Sequence, residues 1–462
     1  MSEERIEDLE EKQEHLEAQV ESKLIRALNL KDAKEVALLM EDAHPIDLAY
    51  ALEEASDSNI LFLADLLTNE QMATIIEQAD DEIQVRIMKL FTARKCLEIF
   101  QHMSKDDIVD ILGDMPANRR KELVNLMKRS DQQVIRDLLQ YDENTAGGIM
   151  TTEYISLKST LTVSQALEKV KEIAPKTEEI NILYVTNEKK QLVGTVSLRE
   201  LLVADNGDTL QDIMEDHVIS VEAEADQEDV AMLVSKYDLH AVPVVNKRKG
   251  MLGIITVDDI IDVIQEENTE DILKMGGVNK EEDVDSAVLE SVRMRLPWLL
   301  VNLATAFLAS AIVALFEDTI SQVVALAAAM PIVAGMGGNA GTQTLAVVVR
   351  GIALGDIKIH GNGKRILRGI AVGFIDGLVN GVVAGTAITI LQGNSMLGVI
   401  MYVAMVCNLI IASLVGFLVP VILKALDFDP AVASSIFITT ATDVCGFFIF
   451  LGLATTFLPY LI

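Results

Sequence analysis

Asp443 stands alone in a long apolar stretch, directly after Thr439-Thr440-Ala441-Thr442. On a helix, spacings of three and four residues set Thr440 and Thr439 beside its carboxylate on one face. A carboxylate flanked by hydroxyl oxygens suits a partly hydrated cation, and no Lys or Arg lies mid-membrane to pair with it instead. Inside a membrane span such a group costs about 3 kcal/mol or more, so it is a functional candidate by default. Asp376 is a second such acid, set among Gly373, Gly377 and Gly381, and a packing or interface role is its equal alternative. The run Gly335-Met336-Gly337-Gly338-Asn339-Ala340-Gly341 loosely fits a phosphate loop. No strand–loop–helix frame surrounds it and no Lys follows it, so close helix packing or local unwinding is the better reading.

The elements that must carry these residues follow from where charge and hydropathy lie. The chain has 462 residues, 70 acidic and 38 basic, for a net charge of −32, yet half of it is hydrophobic. From Met294 onward there are seven acids and seven bases, so the first 293 residues hold all the net charge. This is an acidic soluble half joined to an apolar membrane half. The negative charge repels nucleic acid phosphates, which excludes that class of partner. Charges divide the apolar half into five spans, at Leu296–Phe316, Thr319–Val349, Ile366–Leu391, Met396–Leu423 and Ala431–Leu458. The second would reach roughly 46 Å as one helix, which predicts a tilted or broken helix at the glycine-rich run. Arg350, Lys358, Lys364, Arg365 and Arg368 lie between spans two and three, and Lys424 between four and five. The positive-inside rule then sets the N-terminus in the cytosol and the C-terminus outside, in a multi-pass protein of the cytoplasmic membrane. The opening MSEERIEDLEEKQEHLE has no secretory character. Cys96, Cys407 and Cys445 have no ligand spacing and read as buried thiols.

Residues 1–30 are acidic and helix-prone. From 31 to 137, apolar residues recur every three or four positions with breaks about every twelve, which predicts a superhelical array of short amphipathic helices. An internal repeat follows. Ile149-Met150 matches Ile213-Met214, and Tyr154-Ile155-Ser156-Leu157 matches Val218-Ile219-Ser220-Val221, both at an offset of 64. Val185, Asn187 and Gly194 match Val244, Asn246 and Gly253 at 59. Each copy closes on a strand, a turn and a helix. The pair resembles tandem α+β cystathionine-β-synthase (CBS) domains, here 138–204 and 205–264. In that family a Ser/Thr and an acid three residues on contact an adenosine nucleotide. Ser197 with Glu200, and Thr256 with Asp259, match, and Arg199 lies in the first turn. ATP is thus a candidate cofactor, against the alternative of an empty, structural pair. Residues 265–293 carry Glu266, Glu267, Glu270, Asp271, Glu281, Glu282, Asp283 and Asp285, and read as one long acidic helix leading into the first span. A solvated face is the ordinary account of such a run.

This order of a helical N domain, a CBS pair, an acidic connecting helix and a pore domain over 294–462 resembles the MgtE family of bacterial magnesium channels. The resemblance rests on Arg295-Leu296-Pro297-Trp298-Leu299, Gly337-Gly338-Asn339-Ala340-Gly341-Thr342-Gln343 and Asp429-Pro430-Ala431 running to Asp443. It implies a homodimer with one pore, in which Asp443 holds hydrated Mg²⁺. It also implies cytosolic Mg²⁺ sensing by Asp106 in the N domain, by Glu228, Asp229, Asp238, Asp259 and Asp262 in the second CBS domain, and by Glu267, Glu270 and Asp271 on the connecting "plug" helix. Departures are Thr74 in place of an N-domain acid, Ser435-Ile436 without a Pro ahead of the pore Asp, and Gly369 in place of an acid at the start of the third span. Rival readings are a CBS-regulated carrier of an anion or organic solute, where anion passage would want Arg, Lys or helix N-termini at mid-membrane, and a CBS-bearing divalent-cation exporter. A membrane enzyme is disfavoured by six scattered histidines without a metal or nucleophile pairing.

Overall fold

A computed structural model describes residues 22–177, 179–279, 282, 286–357, 361–426, 428–432 and 434–462. Most of the N-terminal extension, and with it Glu281, Asp283, Asp285, Lys358, His360 and Asp427, lies outside the described residues. The chain divides into two compact units between Ile261 and Asp262.

In the first unit, residues 22–30 are helical, and nine short helices follow among the described residues. They are α1 (Ala33–Asp42), α2 (Pro45–Glu53), α3 (Asp57–Leu66), α4 (Asn69–Glu77), α5 (Asp81–Leu90), α6 (Ala93–Ile99), α7 (Lys105–Asp114), α8 (Ala117–Leu126) and α9 (Arg129–Leu138). Caps mark some of their starts: the Thr68 hydroxyl accepts from the Gln71 amide while Gln71 Oε1 accepts from the Thr68 amide, which fixes where α4 begins. From α2 onward each helix packs on the next but one, through α2–α4, α3–α5, α4–α6, α5–α7, α6–α8 and α7–α9. That is the superhelical array expected from the periodicity, with α9 one helix beyond those read from the sequence. Its fully buried side chains include Leu52, Ile60, Leu63, Met72, Ile76, Ile87 and Met88.

The repeat folds as two matching halves. β1 (Tyr154–Lys158), α10 (Val163–Ile173), β2 (Glu179–Thr186), β3 (Leu192–Ser197), α11 (Leu198–Val203) and α12 (Leu210–Ile213) form the first. β4 (Val221–Glu222), α13 (Gln227–Tyr237), β5 (Ala241–Val245), β6 (Met251–Thr256) and α14 (Val257–Met275) form the second. Both sheets have the central strand parallel to one neighbour and antiparallel to the other. Pro243 is tolerated in the buried central strand because β4 pairs only with Val244 and Val245, so no partner wants its missing N–H. The halves interleave: Thr151 pairs with Ile254, and Thr195 with Glu215.

The second unit departs from the expected single connecting helix. α14 begins in the second CBS domain and ends at Met275, where Gly276 and Gly277 turn the chain and Gly277 takes φ +74°. A left-handed residue cannot continue a helix. Among the described residues, five helices are long and apolar enough to cross a membrane: α15 (Val288–Ala314), α17 (Ala325–Ala353), α18 (Gly363–Gln392), α19 (Ser395–Ala425) and α20 (Ser434–Thr456). The first starts ahead of the apolar run and carries Arg293 and Arg295 in its opening turns. The second span breaks where the sequence gives little warning. Short α16 (Glu317–Gln322) ends at Val323, and α17 then runs unbroken through Gly335–Gly341. The local-unwinding alternative for that run is therefore wrong. Close packing is right: a Cβ on Gly341 would strike Ile438, and one on Gly416 would lie 2.8 Å from the Gly341 carbonyl. On α18, Gly377 and Gly385 similarly admit α19, since a Cβ there would fall 2.7 Å from Val406 Cα and 2.6 Å from the Gly398 carbonyl. Asp376 takes no part in that contact and is exposed.

Candidate functional site

Asp443 lies near the middle of α20, which packs on α17, α19 and α15. It is half-buried, and among the described residues its carboxylate makes no hydrogen bond or ion pair. The two threonines behave differently from a simple hydroxyl stripe. Thr439 Oγ1 donates to the Ser435 carbonyl at 2.9 Å, and Thr440 Oγ1 to the Ile436 carbonyl at 2.6 Å. Their protons are spent on their own helix, which leaves the oxygen lone pairs to accept hydrogen bonds from water. Thr439 also faces α17, with its methyl 3.8 Å from where a Cβ on Gly338 would stand. The three free cysteines bear no ligand geometry; Cys96 is buried, while Cys407 and Cys445 are only half-buried.

A second acidic site forms in the first unit, where α7 meets the start of α14. Asp106 and Asp107 occupy the first turn of α7, where the helix dipole favours acids. Burial pushes the Asp106 carboxyl up to about 6, and the charge of Asp107 adds to the rise. Burial likewise raises Asp107 to about 6, with Glu77, Asp259 and Asp81 adding charge and Ser104 opposing through a hydrogen bond. Asp259 is raised to about 6 by burial, then by Asp106 and Asp258. Asp106 Oδ1 is buried without a hydrogen-bond partner. Lys105, 3.5 Å from Glu153, ties α7 to the chain entering β1. Asp107 and Glu77 were missed in the sequence, although Asp106, Asp107 and Asp110 share one helical face by spacing.

The other candidate acids have local settings of their own. Glu228 and Asp229 sit in the first turn of α13, and Asp238 is its left-handed cap at φ 52°, about 15 Å further along the helix. Those positions have local reasons, in the helix dipole and the C-cap. Asp262 is exposed on α14. Glu267, Glu270 and Asp271 lie on the later turns of α14, against the ends of the spans. There Arg350 donates to Asn268 Oδ1 at 2.9 Å, and Met275 packs on Leu345, Val349, Ala431 and Ile438. Burial raises Asp271 to about 6, with Asp429 and Glu267 adding to it. Among the described residues, no three His, Cys, Asp or Glu side chains close around a common point as direct metal ligands.

The nucleotide candidates are helix caps. Glu200 Oε2 accepts from the Ser197 amide at 2.9 Å while Ser197 Oγ accepts from the Glu200 amide at 3.1 Å. Thr256 Oγ1 donates to Asp259 Oδ2 at 2.5 Å. The spacing at Ser197 thus has a complete local explanation as capping, and Thr256 with Asp259 shows the side-chain half of the same motif. Arg199 is exposed beside the first of them.

The domains match known families in the same order. Residues 43–144 match the MgtE intracellular N domain, 146–207 and 210–266 match CBS domains, and 330–453 match the MgtE divalent cation transporter. Magnesium transporter MgtE of Bacillus subtilis is 35% identical over 439 residues, which covers 94% of this chain and 96% of that one. Its counterpart in Thermus thermophilus is 32% identical over 95% of this chain and 98% of its own. The cytosolic domain of the Mg²⁺ channel MgtE, solved in complex with ATP, superposes on 53% of this chain and 99% of its own with TM-score 0.50 and 32% identity. With that level of identity along nearly the whole length of both transporters, this chain belongs to the MgtE family of magnesium transporters.

Proposed function

We propose that the chain imports Mg²⁺ across the cytoplasmic membrane through a pore at the interface of a homodimer, and that cytosolic Mg²⁺ closes that pore. The observation that carries the transport reading is Asp443: a half-buried carboxylate in a span, with no protein partner among the described residues. Mg²⁺ sheds water reluctantly and prefers oxygen ligands in octahedral array, so a carboxylate flanked by hydroxyl acceptors suits the ion with its water shell. Two such carboxylates across a twofold axis would balance its charge. Basic residues between the second and third spans support a cytosolic N-terminus and an external C-terminus.

The closing ion suits the acids of the first unit. Asp106, Asp107 and Asp259 offer only carboxylate oxygens, and the unpartnered Asp106 Oδ1 is an acceptor waiting for a cation. Carboxylates ~4–6 Å apart repel by about 3–4 kcal/mol per pair at an effective dielectric near 20. A bound cation reverses that sign, and contributes to closure only through its preference for the packed state. Glu228, Asp229, Asp238 and Asp262, with Glu267, Glu270 and Asp271 on α14, extend the sensing surface in this reading. ATP bound near Ser197, Arg199, Glu200, Thr256 and Asp259 is the proposed modulator, supported by the relative solved with ATP.

Reconstitution tests both parts. Proteoliposomes under an inward Mg²⁺ gradient should fill, and Mg²⁺ on the cytosolic side should slow them. Limited proteolysis of the linkers flanking the CBS pair should show protection as Mg²⁺ rises. The triple variant Glu267→Gln, Glu270→Gln, Asp271→Asn should not gain that protection. Equal protection at equal Mg²⁺ would place the sensor elsewhere.

A further inference from the structure

Asn408 is a fully buried amide in the middle of α19, among apolar neighbours where a Leu would be ordinary. Its Nδ2 donates to the Val333 carbonyl on α17 at 2.8 Å, while its Oδ1 has no protein partner. Two glycines make room for it, one on each adjoining helix. A Cβ on Gly337 of α17 would strike Nδ2, and would also stand 3.1 Å from Thr442 Cβ. A Cβ on Gly446 of α20 would lie 2.9 Å from Nδ2 and 3.0 Å from Oδ1. One side chain is therefore keyed between α17 and α20, beside Thr442 and Gly446, which bracket Asp443 in sequence. A hydrogen bond to a carbonyl has a direction that dispersion contacts lack, so it fixes rotation as well as spacing.

We propose that Asn408 is a positioning residue for the ion pathway: held in direction by the Val333 carbonyl of α17, its amide is the surface on which Gly446 of α20 rests, and it so sets the seat of α20 and the direction in which Asp443 presents its carboxylate. This rests on Asp443 being the cation-holding group. A carboxylate that selects an ion through its water shell is sensitive to placement, and a misplacement of about 1 Å can cost up to about a hundredfold in function. The fully buried amide is retained for this direction, since a hydrocarbon of similar volume would fill the same space.

Full-length protein in liposomes tests the proposal, with Mg²⁺ and Ca²⁺ as probes. Asn408→Leu keeps the volume and removes the donor. Gly446→Ala keeps every polar group and pushes α20 off the amide. Each should raise the half-saturating Mg²⁺ on the order of tenfold and narrow the preference for Mg²⁺ over Ca²⁺, in protein that still elutes as the wild-type assembly. Asn408→Ala added to Gly446→Ala vacates the space the new methyl needs but removes the donor, so the lost selectivity should not return; full recovery would overturn the proposal. Wild-type half-saturation and selectivity in Asn408→Leu would overturn the proposal. Should Asn408→Leu not assemble, the same wild-type values in Gly446→Ala would overturn it equally. Normal flux through Asp443→Ala is a different result: it removes the cation-holding role of Asp443 itself.

Discussion

Lys274 Nζ lies 2.5 Å from Asp429 Oδ2, joining the last turn of α14 to the loop that leads into α20. The same ammonium pairs with Glu270 one turn back. Both partners are largely shielded from water, so the pair is less screened than a surface bridge. Asp429 and Glu267 also repel Asp271, where Arg350 and Lys424 offset part of the repulsion, while Lys274 balances Asp429 and Glu270 directly. Lys274→Met should leave the acids unbalanced and free the end of α14. Amide exchange over residues 268–275 of the purified chain should quicken by about tenfold, the equivalent of about 1.4 kcal/mol. Unchanged exchange would show that Met275 and its apolar neighbours hold the helix alone.

The acids between α7 and α14 set a pH dependence whose sign is fixed. Asp106, Asp107 and Asp259 titrate near 6 in the fold, against about 3.9 when unfolded. A raised carboxylate stabilises the fold below its unfolded value, and that contribution is lost as pH rises through about 6. In Mg²⁺-free buffer the first unit should therefore melt at a higher temperature at pH 5.5 than at pH 7.5. The stabilisation added by Mg²⁺ should shrink over the same acid shift, because protons and the metal compete for the same oxygens. The triple variant Asp106→Asn, Asp107→Asn, Asp259→Asn should weaken the first trend, with Asp110, raised to about 8 chiefly by burial, carrying the remainder, and should flatten the Mg²⁺ trend. Melting that falls on acidification across this window in the wild type, and not in the variant, would reverse the assignment.

Capping and nucleotide binding can be separated. Ser197→Ala removes the cap of α11 and should cost about 1 kcal/mol with or without ATP, read by denaturant titration. Arg199→Ala touches no cap and should leave stability unchanged while weakening any ATP binding measured by calorimetry. A loss of stability in Arg199→Ala equal to that in Ser197→Ala would mean its exposed side chain has a structural role.

The glycine contact between α17 and α19 is steric. Gly416→Val places atoms against the Gly341 carbonyl and Thr344, where a Cβ alone would already fall within 2.9 Å. Overpacking of this kind costs about 1–3 kcal/mol, so the variant should lose heat stability in detergent relative to Gly452→Val, whose surroundings are open. Equal stability of the two would deny the close approach.

The five spans were legible because charges bound each apolar run, and the helical array because its period is the helix period. The twofold repeat also read correctly, down to the strand–turn–helix at the end of each copy. The breaks did not. Gly335–Gly341 looked like the interruption of the second span, yet glycines packed against a neighbouring helix keep their helix, and the break fell at Val323. Gly276-Gly277 lies within the acidic run, and the positive φ of Gly277 ends the helix there. The partnership of Asp107 with Asp259 was beyond reach because it joins residues far apart in sequence. Asn408 was passed over for a similar reason: a lone amide in an apolar span shows its role only once the glycines facing it are placed. The threonines before Asp443 were read by helical spacing, which cannot tell a hydroxyl facing the ion from one bonded back to its own helix.

Mg²⁺ flux through purified Asp443→Ala in liposomes, beside wild type and Asp376→Ala, addresses the ion pathway most directly. Asp376 is the other mid-span acid, and it is exposed on α18 outside the α18–α19 contact. The expected result is loss of Mg²⁺ flux in Asp443→Ala with the assembly intact, and retained flux in Asp376→Ala. Normal flux through Asp443→Ala would contradict the pathway drawn here.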